Sequence, residues 1–271
     1  MTLGPEPAET PSARNRAVSD LLAFVLVFGI IITSVGVVYI FGLGALGDAQ
    51  AAQQDRNAER AFSSMGASFN DLQTNRGQER LSELNPRGAR MSIDEAEPEI
   101  TISDSDGDEI VSTEAGAMHY DNDNTRISYE LGAVFRSDDE NSVMVREPEF
   151  VCRELDSDET RAIVSFVDAS IEGDGPTAVG SESTMQIGAI QGPQELHYPN
   201  EDVDLNGELT IEIDNSDHAD AWERYFDQDD NQWEVTSTGS DSVTAECDDV
   251  SDDSVVIRST EMELSLERGD S

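Results

Sequence analysis

The sequence contains no lysine, so all 16 of its basic residues are arginines, against 58 aspartates and glutamates. The acidic excess lies on the C-terminal side, because residues 91–271 hold 49 acids and eight arginines. A surface this negative repels phosphate backbones, which excludes nucleic-acid binding through this part of the chain. Molar salt would relieve the self-repulsion, since the Debye length there falls to about 3 Å. We therefore predict a salt-adapted protein.

Residue patterns that support catalysis or bind metals are also scarce. The three histidines, His119, His197 and His218, are scattered, and none has the i, i+4 spacing of a helical zinc site. No nucleophile elbow, phosphate-binding glycine loop or dinucleotide fingerprint occurs. Paired carboxylates are expected by chance at this density of acids, and these acids cluster in turns rather than in apolar stretches. The sequence therefore predicts a non-enzymatic protein with no catalytic residue, metal site or cofactor.

Two acidic strings partly match calcium-binding loops. Residues 202–207 fit the first half of an EF-hand loop, but its twelfth position is Ile213, where a glutamate is required. In residues 104–108 the glycine stands in the wrong place. We expect both strings to form ordinary turns.

One long apolar run is present. Residues 21–47 contain no charged side chain and follow Arg14 and Arg16. At about 1.5 Å per residue the run reaches roughly 40 Å, enough to cross a hydrocarbon core of about 30 Å. The next arginine is Arg56, so the positive-inside rule predicts a cytoplasmic N-terminus and an external C-terminal part. The run is longer than the apolar region of a Sec signal peptide, so we do not expect a simple cleaved secretory signal.

The external part contains the only two cysteines, Cys152 and Cys247. A lone pair in an extracellular domain usually forms a disulfide, and the alternative is two buried free thiols. We predict a disulfide between them.

Residues 48–76 keep a helix-forming composition after the apolar run. Their apolar residues recur at spacings of 4, 3, 4 and 3, at Ala58, Phe62, Met65, Phe69 and Leu72. Such a stripe packs either against neighbouring helices or against the head of its own chain, and the sequence leaves both open. We predict a helical stalk and linker over residues 48–88.

From residue 90 onward the apolar period changes to 2, which is typical of strands. Five short segments carry the pattern: 99–102, 127–131, 162–167, 208–213 and 254–257. The dipeptide at 206–207 predicts a hairpin between 203–205 and 209–211. Ser216 is placed to cap one short helix whose apolar face carries Trp222, Tyr225 and Phe226. An acidic disordered tail is the alternative, and the regular pattern disfavours it.

These patterns predict an α+β protein in which a long transmembrane helix extends into a stalk and precedes a β-rich, sandwich-like extracellular head with one short helix. The expected boundaries are a leader at 1–17, the transmembrane helix at 18–47, the stalk and linker at 48–88, and the acidic head at 90–271.

The junction before the apolar run consists of Arg16, Ala17, Val18 and Ser19. It resembles an archaeal type IV prepilin signal, in which cleavage follows a small residue and the apolar helix is retained. The run 16–26 also resembles the N-termini of haloarchaeal pilin-like proteins. Asp20 stands where many haloarchaeal pilins have proline, which favours an accessory over a major subunit. The resemblance implies cleavage between Ala17 and Val18 by a prepilin peptidase.

The resemblance therefore predicts a minor pilin-like subunit of a type IV pilus-like structure of a halophilic archaeon. Its expected partners are the membrane, other pilin-like subunits, the prepilin peptidase and the assembly machinery, with no nucleic acid. It is expected in the cell membrane with a single span and an extracellular head. The alternative is a permanently anchored single-pass surface protein whose acidic head binds a ligand or an envelope partner.

Overall fold

The computed structural model describes most of the chain. The described residues are 13–73, 79–84, 88–122, 125–138, 141–155, 160–171, 173, 177–180, 184–199, 205, 207–229 and 231–268, with the backbone alone for 13–19 and 41–48. The chain divides into two compact units, Met1–Gln53 and Gln54–Ser271. The second unit is the head, and it begins inside the long helix.

Helix α1 spans Ala13–Leu72 and includes the predicted apolar run. No proline occurs between residues 12 and 85, so no helical N–H is lost along its length. Its last 19 residues belong to the second unit.

Helix α2 spans Ala219–Phe226 and buries Trp222, Tyr225 and Phe226, as the spacing predicts. Its N-cap is His218, so the predicted cap at Ser216 is wrong by two residues. The Ser216 hydroxyl instead accepts a hydrogen bond from the His218 backbone N–H at 3.1 Å.

The described strands form three sheets, named A, B and C here. Sheet A contains, in spatial order, β1 (Glu79–Leu84), β12 (Met185–Tyr198), β16 (Val250–Arg268), β10 (Thr160–Ile171) and β9 (Glu149–Glu154). Sheet B contains β11 (Ala178–Gly180), β2 (Arg90–Asp94), β5 (Ala117–Asn122), β6 (Thr125–Glu130), β7 (Ala133–Asp138) and β8 (Asn141–Arg146). Sheet C contains β14 (Glu234–Thr238), β15 (Val243–Asp248), β13 (Glu208–Asp214), β3 (Glu99–Asp104) and β4 (Glu109–Glu114).

All five predicted segments lie in strands, apart from Leu131 at the end of the second. Strand β1 adds a strand at residues 79–84, where the sequence pattern predicts a stalk and linker. The predicted hairpin across residues 206–207 is wrong, because β13 pairs with β3 and β15 on its two edges. Gly207 does have the positive φ, +96°, that a turn requires. Residues 203, 204 and 206 lie outside the described residues.

Two apolar cores lie on opposite faces of sheet A. On β10, Ala162, Val164 and Phe166 enter the first core, which also contains sheet C and α2 side chains. Val167 and Ala169 enter the second core, which contains α1 and sheet B side chains. Strands β10 and β16, which pair in parallel, run through both cores. The long strands of sheet A therefore join the two halves of the head.

Candidate membrane and assembly segment

The part of α1 from Asp20 to Ile40 is a candidate membrane span by length and composition, with a mean hydropathy of 2.8. None of it is buried inside the protein. Fifteen large apolar side chains between Leu21 and Ile40 are exposed. Full burial of an exposed large apolar side chain is worth about 1.5–3 kcal/mol, and these side chains are 49–70% exposed, so covering the segment would stabilise it by at least about 10 kcal/mol. Such a segment is compatible with a single-pass membrane anchor or a signal anchor.

The four predicted processing residues, Arg16 to Ser19, lie within the first two turns of α1, where the backbone alone is described. Their backbone is helical and continuous with the apolar segment. Residues 1–12 of the predicted leader lie outside the described residues.

The apolar stripe of the predicted stalk is buried in the head of the same chain. Phe62, Met65, Phe69 and Leu72 are at most 3% exposed and belong to the second core. Phe69 meets Tyr129 of β6 edge to face, with ring centroids 5.1 Å apart. Of the two alternatives that the sequence leaves open, the stripe therefore packs on its own head.

Close approach of the helix to sheet B is possible because residue 66 is a glycine. A Cβ atom there would lie 3.0 Å from Val134 Cγ2 and 3.1 Å from Arg146 Cδ, tighter than ordinary contacts. A side chain at this position would require Val134 and Arg146 to shift by a few tenths of an ångström.

Polar contacts fix the start of the docked segment. The buried Asp55 accepts hydrogen bonds from Asn122 Nδ2 at 2.6 Å and Thr125 Oγ1 at 3.3 Å. One turn later Glu59 forms an ion pair with Arg136 at 3.1 Å. Asp55 and Glu59 therefore both face the head and find partners there.

A second polar group fixes the end of the helix on sheet A. The buried Gln73 side chain accepts a hydrogen bond from the Ser165 hydroxyl, and its backbone carbonyl accepts one from Gln194. Arg258 Nε also donates to Ser165 Oγ, at 2.9 Å. The helix therefore covers the face of sheet A as far as Ser165.

A disulfide joins Cys152 of β9 to Cys247 of β15, with an S–S distance of 2.06 Å. Both cysteines are buried in the first core. The bond connects sheet A to sheet C across that core and closes a sequence separation of 95 residues.

Each of the three histidines pairs with a serine. His119 bonds Ser128 at 2.9 Å, and His197 bonds Ser259 at 2.8 Å. His218 is buried, bonds Ser142 at 2.8 Å, and has its pKa lowered to about 4, chiefly by desolvation. Within the described residues, no group of three or more His, Cys, Asp or Glu side chains could hold a metal ion.

The calcium-like string at residues 104–108 forms an ordinary hairpin turn. Asp104 Oδ1 accepts the backbone N–H groups of Asp106 and Asp108, at 2.9 and 2.8 Å, at the β3–β4 hairpin. Ile213, at the twelfth position of the other string, is fully buried in the first core. Residues 202–204 and 206 lie outside the described residues.

Sequence reasoning missed the most deeply buried carboxylate among the described residues, Glu130, at the end of β6. It is 2% exposed and accepts hydrogen bonds from Ser216 Oγ at 2.6 Å and Trp222 Nε1 at 2.7 Å. Desolvation raises the pKa of Glu130 to about 7 despite these two donors. The sequence feature that could have indicated this burial is the position of Glu130 between Tyr129 and Leu131, at the end of an apolar strand rather than inside an acidic turn.

No match was found among curated proteins or among solved structures. One family profile, described as "Family of unknown function (DUF7289)", matches residues 16–265. The match includes the candidate membrane span together with nearly all of the head. The chain therefore belongs to the DUF7289 family.

Proposed function

We propose that this chain is a pilin-like subunit, of the minor or accessory kind, in a type IV pilus-like structure on the surface of a halophilic archaeon. The observation that carries the proposal is the contrast between the two parts of α1. The first part exposes fifteen large apolar side chains, whereas the second is docked in the head. Such a helix can pass from lipid into a helical bundle without unfolding the head.

The proposed mechanism is assembly rather than catalysis. A prepilin peptidase would cut between Ala17 and Val18, and the retained apolar segment would stay in the bilayer. The assembly machinery would then extract this segment from the bilayer into a bundle, where segments of neighbouring copies cover one another. The family match beginning at Arg16 supports a role for this junction, because it includes the four signal residues.

The proposed topology places the N-terminus in the cytoplasm and the head outside. Arg14 and Arg16 precede the apolar run, as the positive-inside rule requires of a cytoplasmic flank. The Cys152–Cys247 disulfide supports an external head, because disulfides persist in oxidising compartments. We describe this head as sandwich-like, since the first core lies between sheets A and C.

One observation favours the alternative of a permanently anchored surface protein. The stripe from Phe62 to Leu72 faces the head of its own chain, so it is not available to neighbouring copies. Under the pilin proposal, helix-to-helix contacts between copies are therefore left to the exposed segment before residue 41.

The N-terminus of the mature protein discriminates between the two functions. Mass spectrometry of the membrane form should find Val18 as the first residue. Replacing Arg16 and Ala17 together should block cleavage, whereas Arg14→Ala, a matched arginine within the leader, should not. An unprocessed N-terminus in wild-type cells with an active prepilin peptidase would reject the pilin proposal and leave the anchored surface protein.

A further inference from the structure

Helix α1 leaves part of one face of sheet A uncovered. On β10, Val167 and Ala169 lie in the core shared with α1, and Ser165 is covered by Gln73. Side chains two residues apart on a strand share a face. Ile163 and Arg161 therefore continue the same face beyond the helix, and there Ile163 is half-buried and Arg161 exposed.

The uncovered area extends over four adjacent strands. Its apolar members come one from each strand: Val151 of β9, Ile163 of β10, Val256 of β16 and Leu196 of β12. Val151 lies opposite Ile163, and Ile163 lies opposite Val256. Leu196 is 59% exposed and lies opposite Arg258, the next outward residue of β16. Val151 and Leu196 are exposed and the other two are half-buried, and apolar side chains grouped on an open sheet face are typical of an interaction surface.

Three arginines border this apolar row: Arg153, Arg161 and Arg258. Arg153 and Arg161 are exposed and face each other across β9 and β10. Three of the eight arginines in residues 91–271 thus lie on one face. On this face of β9, β10, β16 and β12, the one carboxylate among the described residues is Glu149. It pairs with Arg258 at 3.4 Å. We name the four apolar residues and three arginines together the basic patch.

The charge of the basic patch contrasts with the rest of the head. The chain carries a net charge of −42, nearly all of it contributed by residues 91–271. Arg153 and Arg161 lie directly opposite each other on β9 and β10, and like charges in that position repel each other. An acidic surface laid over the patch would relieve that repulsion. Arginines around an apolar centre are also the composition that protein interfaces favour.

We propose that the basic patch binds the acidic head surface of a second copy of this chain. Pairing of two basic patches about a twofold axis would bring arginines of both copies together, so the contact is heterologous. Heterologous contacts that do not close into a ring continue into open chains. The role of this contact in filament growth rests on the proposed function, whereas the contact itself requires no cleavage.

The test is a photo-cross-link from the centre of the basic patch. A benzophenone amino acid replaces Leu196 in the full chain, which is purified in detergent at molar salt. Mixing isotope-labelled with unlabelled protein identifies cross-links between copies by mass spectrometry. We expect cross-links to acidic peptides of a second head that lie outside its basic patch.

Variants define what the cross-link depends on. Arg153→Glu with Arg161→Glu should lower the yield of intermolecular cross-links about tenfold or more, since arginines at interfaces are often dominant contributors. Arg90→Glu with Leu81→Ser is the matched control, because it alters an exposed arginine of sheet B and an exposed leucine of β1. This control should leave the yield unchanged.

Cross-links confined to the same chain or to detergent, cross-links between two basic patches, or an equal loss in the control would each overturn the proposal. An unprocessed N-terminus in cells would overturn the proposed function and leave this test intact, because the cross-link is measured on the uncleaved full chain.

Discussion

The docking of α1 on the head predicts a large loss of stability when one aromatic ring of the stripe is removed. Phe69 is 1% exposed and packs edge to face on Tyr129. Replacing a buried Phe by Ala costs about 3–5 kcal/mol, through lost transfer free energy and the cavity left behind. A domain of this size loses roughly 2–4 °C of melting temperature per kcal/mol. Phe69→Ala should therefore lower the Tm of the head by roughly 6–20 °C.

The measurement is near-UV circular dichroism of the full chain in detergent at molar salt, as a function of temperature. Phe24→Ala is the matched control, since Phe24 is 67% exposed and lies in the candidate membrane span. This control removes the same ring without touching the head, so its Tm should equal that of the wild type. A Tm of Phe69→Ala within about 2 °C of wild type would refute the docking of the stripe.

Three further predictions concern the head. Dialysis from molar salt to about 0.1 M should abolish its near-UV signal, because the Debye length grows to about 10 Å and the acidic excess is no longer screened; an unchanged signal would contradict salt adaptation. Native protein should resist thiol alkylation at Cys152 and Cys247 until it is reduced, and reduction should destabilise it by a few kcal/mol, whereas free alkylation would contradict the bond. Burial raises the pKa of Glu130 from 4.5 in the unfolded chain to about 7 in the folded protein. The contribution of this carboxyl group to the free energy of unfolding is therefore fully present below pH 4.5 and is lost as the pH rises through 7. Glu130→Gln lacks this titration, so denaturant melts should show its free energy of unfolding rising by about 3 kcal/mol relative to wild type between pH 4.5 and 8. A difference between the two proteins that stays constant over this pH range would contradict the raised pKa.

Local patterns explain which elements the sequence could predict. The uncharged run and the absence of proline determine α1, because both act along one stretch of helix. Alternation of apolar and polar residues determines the strands for the same reason, since it reports which face of each strand is buried. The disulfide was predictable because only two cysteines exist. Strand β1 was missed because its two apolar residues, Leu81 and Leu84, are three positions apart, so apolar and polar residues do not alternate in the sequence of residues 79–84.

Neighbours distant in sequence decided the rest. The spacing of the stripe is the same whether Phe69 meets a second helix or Tyr129, so its partner is a property of the tertiary structure. The buried Glu130 is one of 49 acids in residues 91–271, and its burial depends on Ser216 and Trp222, 86 and 92 residues away.

The basic patch depends on tertiary structure in the same way. Its side chains come from four strands, and they meet because β10 and β16 pair in parallel across about 90 residues of intervening chain. The sequence by itself determined a membrane-type helix, an acidic β-rich head and one cysteine pair, because composition and period act locally. The docking of the helix, the buried carboxylate and the exposed patch were decided by which surfaces the fold brings together, because burial is set by neighbours that no local pattern specifies.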